Sequence, residues 1–230
     1  MKANVVPFWS TPIADYMNVE LAQELKAYVL TQDAQGIESG VAEFVKHNLI
    51  ESKFDFFHSD EPVIHKTIQW ICECLKATLN AIHGTEENYQ IGFNETWYHI
   101  TRTNGMHDVH KHPNCSWCGV FYLDPGEGED GRTSFITPID SSYHDHGNRF
   151  LMDTALDIKP KEGLLVLFPS YLAHAQKLYT GKKDRIVVAF NMTVDEAPTD
   201  CLLYTSPSPR DQRGSPVRAY GGQKKKRGRG

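Results

Sequence analysis

No run in this chain approaches the roughly 20 consecutive apolar residues that a membrane-spanning helix needs. The opening stretch, MKANVVPFWSTPIADY, has no apolar core of signal-peptide length. Cysteine is scarce and unpatterned. Five of the 230 residues, at positions 72, 74, 115, 118 and 201, are an odd set without the spacing of a disulfide framework, which fits a reducing compartment. Positive charge is not in excess either: 24 Lys and Arg against 29 Asp and Glu leave a net charge of -5. That gives no general attraction to nucleic acid or to an anionic membrane. Internal repeats are lacking, and nothing marks a second domain. These absences point to a cytoplasmic protein that uses neither nucleic acid nor membrane as a partner. What is present is ordinary for a globular domain, 40% hydrophobic and 23% charged, on a chain long enough to bury a core.

The C-terminus reads differently from the rest. CLLYTSPSPRD, beginning at Cys201, matches the in-frame translation of a transposase sequencing adapter, and the lysine run after it resembles translated poly-A. A disordered, non-native read-through tail is therefore expected over 201–230, to be left out of fold reasoning. One domain is expected over residues 1–200.

Helices come first along the chain and strands later. After an extended segment over 1–17, Asn18 is a candidate cap for a helix over 18–32, with Leu21, Leu25 and Tyr28 on one face. Residues 33–60 read as irregular. Asp60-Glu61-Pro62 opens a second helix, with proline in its first turn. Ile64, Ile68, Ile71, Leu75, Leu79 and Ile82 make its packing stripe, and Gly84 ends it as a left-handed cap. His65 and His83 lie off the stripe and read as solvated. Beyond Gly84 the period becomes alternating. Strands are expected at 89–101, 116–123, 133–137, 163–168 and 185–193, separated by turns rich in Gly, Asp and Pro. Such an order predicts an α+β fold, a jelly roll of the cupin kind backed by the N-terminal helices.

The chemistry-bearing stretch is Asp108-Val109-His110-Lys111-His112-Pro113-Asn114. In an extended segment alternate side chains share a face, so Asp108, His110 and His112 should point together and His107 away from them. Downstream stand His174 and Arg185. On the last strand Arg185, Val187, Ala189 and Asn191 form a small, polar-bearing face suited to a cavity, while Ile186, Val188, Phe190 and Met192 form an apolar face suited to packing under helices. A buried guanidinium needs a partner. A carboxylate suits its planar fork, whether from the protein or from a ligand. Imidazoles near a strand-borne arginine describe a metal site with an anion-binding neighbour. Other metal-like groups read more plainly. Cys115-x-x-Cys118 reads as two small wall residues, Cys72 and Cys74 as helix positions, and the Tyr143–His146 segment as part of a lid or solvated loop over 138–153.

In combination, H-x-H-P-N-x-x-x-x-G-V-x-Y-L from His110, L-V-L-F-P-S-x-L-x-H ending at His174 and R-I-V-V-A-F-N from Arg185 resemble the Fe(II)- and 2-oxoglutarate-dependent oxygenases, over about residues 7–194. The closest branch is the small one of bacteria and phages. His110, His112, Gly119, Tyr122, Pro169, His174, Arg185 and Asn191 carry the likeness. The resemblance implies a double-stranded β-helix, Fe(II) held by a facial triad, and 2-oxoglutarate as co-substrate with its distal carboxylate on Arg185. It also implies molecular oxygen as reactant, release of succinate and CO2, and hydroxylation of a small-molecule or peptide substrate. Tyr122 and Asn191 are further candidates for the co-substrate site. The common pattern of such enzymes is His-x-Asp with a distant His, whereas this chain has His110-x-His112. The spacing of that branch favours His110, His112 and His174 as the ligand set, with Asp108 as the alternative carboxylate and His112 as an outer donor as the third option. Two other function classes remain, a zinc-dependent cupin hydrolase or isomerase and a non-catalytic jelly-roll binding protein.

Overall fold

The computed structural model describes residues 10–34, 46–128, 130–139 and 154–196. The expected tail and most of the 138–153 loop lie outside them. Helix α1 (Val19–Ala34) follows the short strand β1 (Ala14–Met17). Asn18 caps it as expected, its Oδ1 accepting the Leu21 N–H at 3.0 Å. Leu21, Ala22, Leu25 and Val29 are its buried side. Helix α2 (Pro62–His83) begins with Pro62 in its first turn and ends on Gly84 at φ 70°, whose N–H bonds the Asn80 carbonyl. Its stripe is buried from Ile64 to Leu79, but Ile82 is 46% exposed, so packing stops one turn before the helix does. His65 and His83 are exposed, as expected.

Among the described residues nine strands make up the sheet. Besides β1 they are β2 (Lys46–Glu51), β3 (Tyr89–His110), β4 (Trp117–Asp124), β5 (Thr133–Ile136), β6 (Ala155–Ile158), β7 (Leu164–Pro169), β8 (His174–Tyr179) and β9 (Arg185–Glu196). Their order is β1-β7-β4-β9-β3-β8-β5-β6, with β2 on β3 and every pairing antiparallel. The sheet curls on itself. Four strands separate β5 from β7, yet the Phe135 and Phe168 rings lie 4.7 Å apart. The curl is carried by β3, whose first half pairs with β9 and whose second half, past register shifts at Gly105–His107, pairs with β8. This is the double-stranded β-helix backed by helices that the alternation predicted.

Two cores result. Between helices and sheet, Leu25, Ile71 and Leu75 meet Phe121, Val188, Phe190 and Met192. Inside the curl lie Cys118, Tyr122, Phe135, Phe168, Leu172 and Val187. Strand β9 thus divides its faces as its alternation foretold. Gly119 faces Phe190 across the β4–β9 ladder. A Cβ there would sit 2.3 Å from two Phe190 ring carbons. Gly119→Ala is therefore expected to destabilise the fold by about 1–3 kcal/mol through overpacking. The measurement is the chemical-denaturation midpoint at unchanged slope, and a midpoint equal to wild type would show that the Phe190 ring can yield.

Candidate active site

The site occupies the interior of the curl, and strand register builds it. His110, at the end of β3, faces His174, at the start of β8, across the ladder. Residues directly opposite in an antiparallel pair have side chains in contact on one face. The ring centroids are accordingly 4.3 Å apart. His112 lies just beyond the end of β3 and turns back to them, at 4.9 Å from the His110 ring and 5.2 Å from that of His174. One nitrogen from each of the three lies within 4.8 Å of the others, and among the described residues no other group of His, Cys, Asp or Glu converges in this way. The carboxylate of Asp108 stays outside the cluster, and the residue is exposed. Simple alternation fails there because the β3–β8 ladder slips between His107 and His110. The same slip turns His107 inward, contrary to the extended-strand expectation: it is 8% exposed and stacks on His110 at 4.0 Å.

Tautomers suit metal binding. His110 Nδ1 lies 2.7 Å from the Asp108 carbonyl oxygen and His174 Nδ1 lies 3.0 Å from that of Leu172. A carbonyl can only accept, so each Nδ1 carries a proton, and in the neutral ring Nε2 then offers the lone pair. Burial, and next the neighbouring His110, push His174 down to about 3, so it is neutral at physiological pH, as a ligand must be. Asn191 sits at this end. Its Nδ2 donates to Glu95 Oε2 at 2.9 Å and lies 3.4 Å from His112 Nδ1.

Arg185 lies at the other end of the cavity and is 1% exposed. Its Nη1 donates to Gln176 Oε1 at 2.9 Å, and its Cζ lies 5.2 Å from the centroid of the Tyr122 ring. Thr101 Oγ1 also donates to Gln176 Oε1, at 3.0 Å. Among the described residues no carboxylate pairs with Arg185, and two buried donors lack an acceptor, Arg185 Nε and Gln176 Nε2. Burial lowers the guanidinium pKa from its ordinary value and raises that of the Tyr122 phenol. Tyr122 is bonded to Thr133 Oγ1 at 2.5 Å. A cationic fork with orphaned donors is a poor structural element and a good carboxylate receptor. Gln176, Thr101 and Thr133 escaped the sequence reading. Their signal is two-residue spacing, since Gln176 shares a face with His174 once 174–179 is a strand.

Residues 95–191, the stretch holding all of these groups except the helices' contribution to the core, match the family described as "Putative 2OG-Fe(II) oxygenase". Over that stretch the chain is similar to the 2OG-Fe(II) oxygenases. No protein of curated function matches the sequence. Among solved structures, a Pseudomonas putida prolyl-4-hydroxylase is similar at 15% identity and TM-score 0.57, covering 80% of this chain and 94% of its own. The epimerase SnoN, in complex with Fe3+, alpha ketoglutarate and nogalamycin RO, is similar at 10% identity and TM-score 0.62, over 90% of this chain and 89% of its own. HygX from Streptomyces hygroscopicus, with nickel and 2-oxoglutarate bound, is similar at 14% identity and TM-score 0.51, over 80% and 83%. At these identities the likeness is one of fold. The donor set of the cavity itself fits Fe(II) and 2-oxoglutarate: three imidazoles converge at one end, and a buried arginine without a carboxylate partner among the described residues stands at the other.

Elsewhere the cysteines keep to their plain reading. Cys118 is buried in the inner core, 3.8 Å from Cys115, and neither joins a metal group among the described residues. No described helix is long and apolar enough to cross a membrane.

Proposed function

We propose that this protein is an Fe(II)- and 2-oxoglutarate-dependent dioxygenase in which His110, His112 and His174 hold the iron and Arg185 binds the distal carboxylate of 2-oxoglutarate. The observation that carries the reading is the buried Arg185 fork, without a protein carboxylate among the described residues, in the same cavity as the three histidines. A zinc hydrolase or a binding-only jelly roll has no use for that fork. Iron at the histidine end supplies oxygen activation. The balanced outcome is 2-oxoglutarate, O2 and R–H going to succinate, CO2 and R–OH, one oxygen atom to each organic product. The chain's own residues bind and orient. Arg185, Gln176 Nε2 and the Tyr122–Thr133 hydroxyl pair receive the distal carboxylate. The backbone carbonyls of Asp108 and Leu172 keep His110 and His174 in the ligating tautomer. Asn191 and Glu95 steady His112. Phe168 and Phe135, both packed against His174, keep that side dry. The prime substrate is a small molecule or a peptide, and we place the enzyme in the cytoplasm as one domain over residues 1–200, with 201–230 as a non-native tail.

Anaerobic reconstitution tests the metal half. Wild-type protein is expected to take up about one equivalent of Fe(II), and His174→Ala to lose at least tenfold in affinity. His174→Ala that still binds one equivalent as tightly as wild type would remove the cluster from the assignment.

A further inference from the structure

The two ends of the cavity are unbalanced in opposite ways. At the Arg185 end the orphaned groups are donors, Arg185 Nε and Gln176 Nε2. At the histidine end the surplus is in acceptors. Asn191, 1% exposed, has a buried Oδ1 without a hydrogen-bond partner. Beside it stands the carboxylate of Glu95, whose Oε2 accepts from Asn191 Nδ2 at 2.9 Å.

Register puts Glu95 at the rim. On the β3–β9 ladder Thr101 faces Arg185, Trp97 faces Ala189 and Glu95 faces Asn191. Trp97 and Ala189 line the cavity, and Glu95, the next residue outward on that face, is exposed. A bulge brings it there. Phe93 and Glu95 would share a face in an unbroken strand. Phe93 instead packs on Phe57 and Phe190 under the helices. The ladder shifts between Phe93 and Glu95, which turns the carboxylate to the cavity side. Asn94, the residue between them, is tied by its Nδ2 to the Asn114 carbonyl at 2.9 Å, just past the His110–His112 motif.

Water satisfies an exposed carboxylate, so exposure alone asks for no ligand. The surroundings of Glu95 say more. The Asn191 contact is its one hydrogen bond among the described residues, and it occupies Oε2 alone. No described lysine or arginine pairs with Glu95, although Lys53 and Lys111 on adjoining segments are exposed. Next on the same face, Trp97 meets the Phe54 ring edge-on at 5.3 Å, and Phe54 is 44% exposed. The Trp97 ring also lies 5.6 Å from that of His112. A free carboxylate oxygen beside aromatic surface suits a cation carried on an apolar body, because ring faces attract cations and a carboxylate accepts their N–H groups.

We propose that Glu95, with Phe54 and Trp97, is the recognition site for a cationic nitrogen, an ammonium or guanidinium, on the prime substrate. The proposal rests on the dioxygenase reading and names the substrate class that reading leaves open. Asn191 links Glu95 to His112, so a cation held there lies beside the metal end while the Arg185 end takes the co-substrate. The opposite charges of the two sites also sort the ligands: a dicarboxylate is repelled by Glu95, and a cationic substrate by Arg185.

Paramagnetic relaxation tests this without turnover. Protein loaded anaerobically with Mn(II) and saturating 2-oxoglutarate is titrated with benzylammonium, benzyl alcohol or benzoate, and the broadening of the probe's ring protons is followed. Benzylammonium is expected to bind about fivefold more tightly than the alcohol, the worth of an ion pair at an exposed rim, and benzoate more weakly than either. Glu95→Gln keeps an acceptor for Asn191 and loses the charge. It should bind the ammonium no better than the alcohol, at unchanged Mn(II) stoichiometry and melting temperature, and Glu95→Asp should recover part of the preference. Equal binding of ammonium and alcohol by wild type, or a preference that survives Glu95→Gln, overturns the proposal. A Glu95→Gln protein that loses Mn(II) or stability and keeps the order of probes assigns Glu95 a structural role and overturns it too. The blocked peptide acetyl-Ala-Lys-Ala-amide separates the sources: tighter binding than benzylammonium assigns the cation to a peptide side chain, weaker binding to a small molecule, and either supports the site. Wild type that retains neither Mn(II) nor 2-oxoglutarate overturns the dioxygenase reading instead, and this proposal falls with it.

Discussion

Arg185→Ala is expected to weaken 2-oxoglutarate binding by on the order of 30-fold or more while leaving iron affinity unchanged. The guanidinium is 1% exposed, bonded on one side to Gln176 and orphaned at Nε. A charge-assisted pair shielded from water is strong, and truncating one member of such a pair costs about 2–5 kcal/mol. Iron affinity should not follow, because the three imidazoles stand at the far end of the cavity. Arg185→Lys keeps the charge and loses the planar fork, so it should recover only part of the affinity. The readout is anaerobic titration of the absorption band that forms when 2-oxoglutarate joins the iron-loaded protein. A variant that binds as tightly as wild type, or a wild type without the band, would sink the co-substrate assignment and bring the zinc-cupin reading forward.

Gln176→Glu should separate binding from stability, with opposite signs. Gln176 Oε1 already accepts from Arg185 Nη1 and from Thr101 Oγ1. A carboxylate in the same place gives Arg185 the internal partner it lacks and removes the orphaned Nε2 donor. Co-substrate affinity should then fall by about 100-fold, roughly 2.7 kcal/mol, since the distal carboxylate meets a neutralised fork and a like charge. The fold should keep its melting temperature or gain, because a lone buried charge acquires a counter-charge. Gln176→Leu, which lacks both donor and acceptor, should lose affinity and stability together. A Gln176→Glu protein that binds 2-oxoglutarate like wild type would show that the carboxylate docks elsewhere.

Several features of this molecule were legible along the chain because they depend on near neighbours. The Asn18 cap, the stripe from Ile64 to Leu79 and the Gly84 terminus follow from helical spacing and local backbone preference. The two faces of β9 follow from alternation. That pattern alone placed Arg185 and Val187 on the cavity side and Val188 and Phe190 under the helices. The motif around His110 and His112, with His174 and Arg185 downstream, named the residues that the fold gathers, with Asp108 kept only as an alternative to His112.

Other features needed the third dimension. Strands β2, β6 and β8 are short, and their residues lack strict alternation of apolar and polar side chains. They are strands because neighbours far along the chain offer them ladder hydrogen bonds, a stabilisation that no local window contains. Periodicity assumes an unbroken ladder, so it could not foresee the slips in β3 that take Asp108 out of the site and bring His107 in. Nor could it pair Glu51 with His99, or Arg185 with Gln176, since each contact depends on which strands lie side by side. Residue types and two-residue spacing are local properties, so the chemistry the chain carries can be read along it. Register and curl arise from long-range pairing, and they alone set which of those groups share a cavity and which buried donors lack a partner.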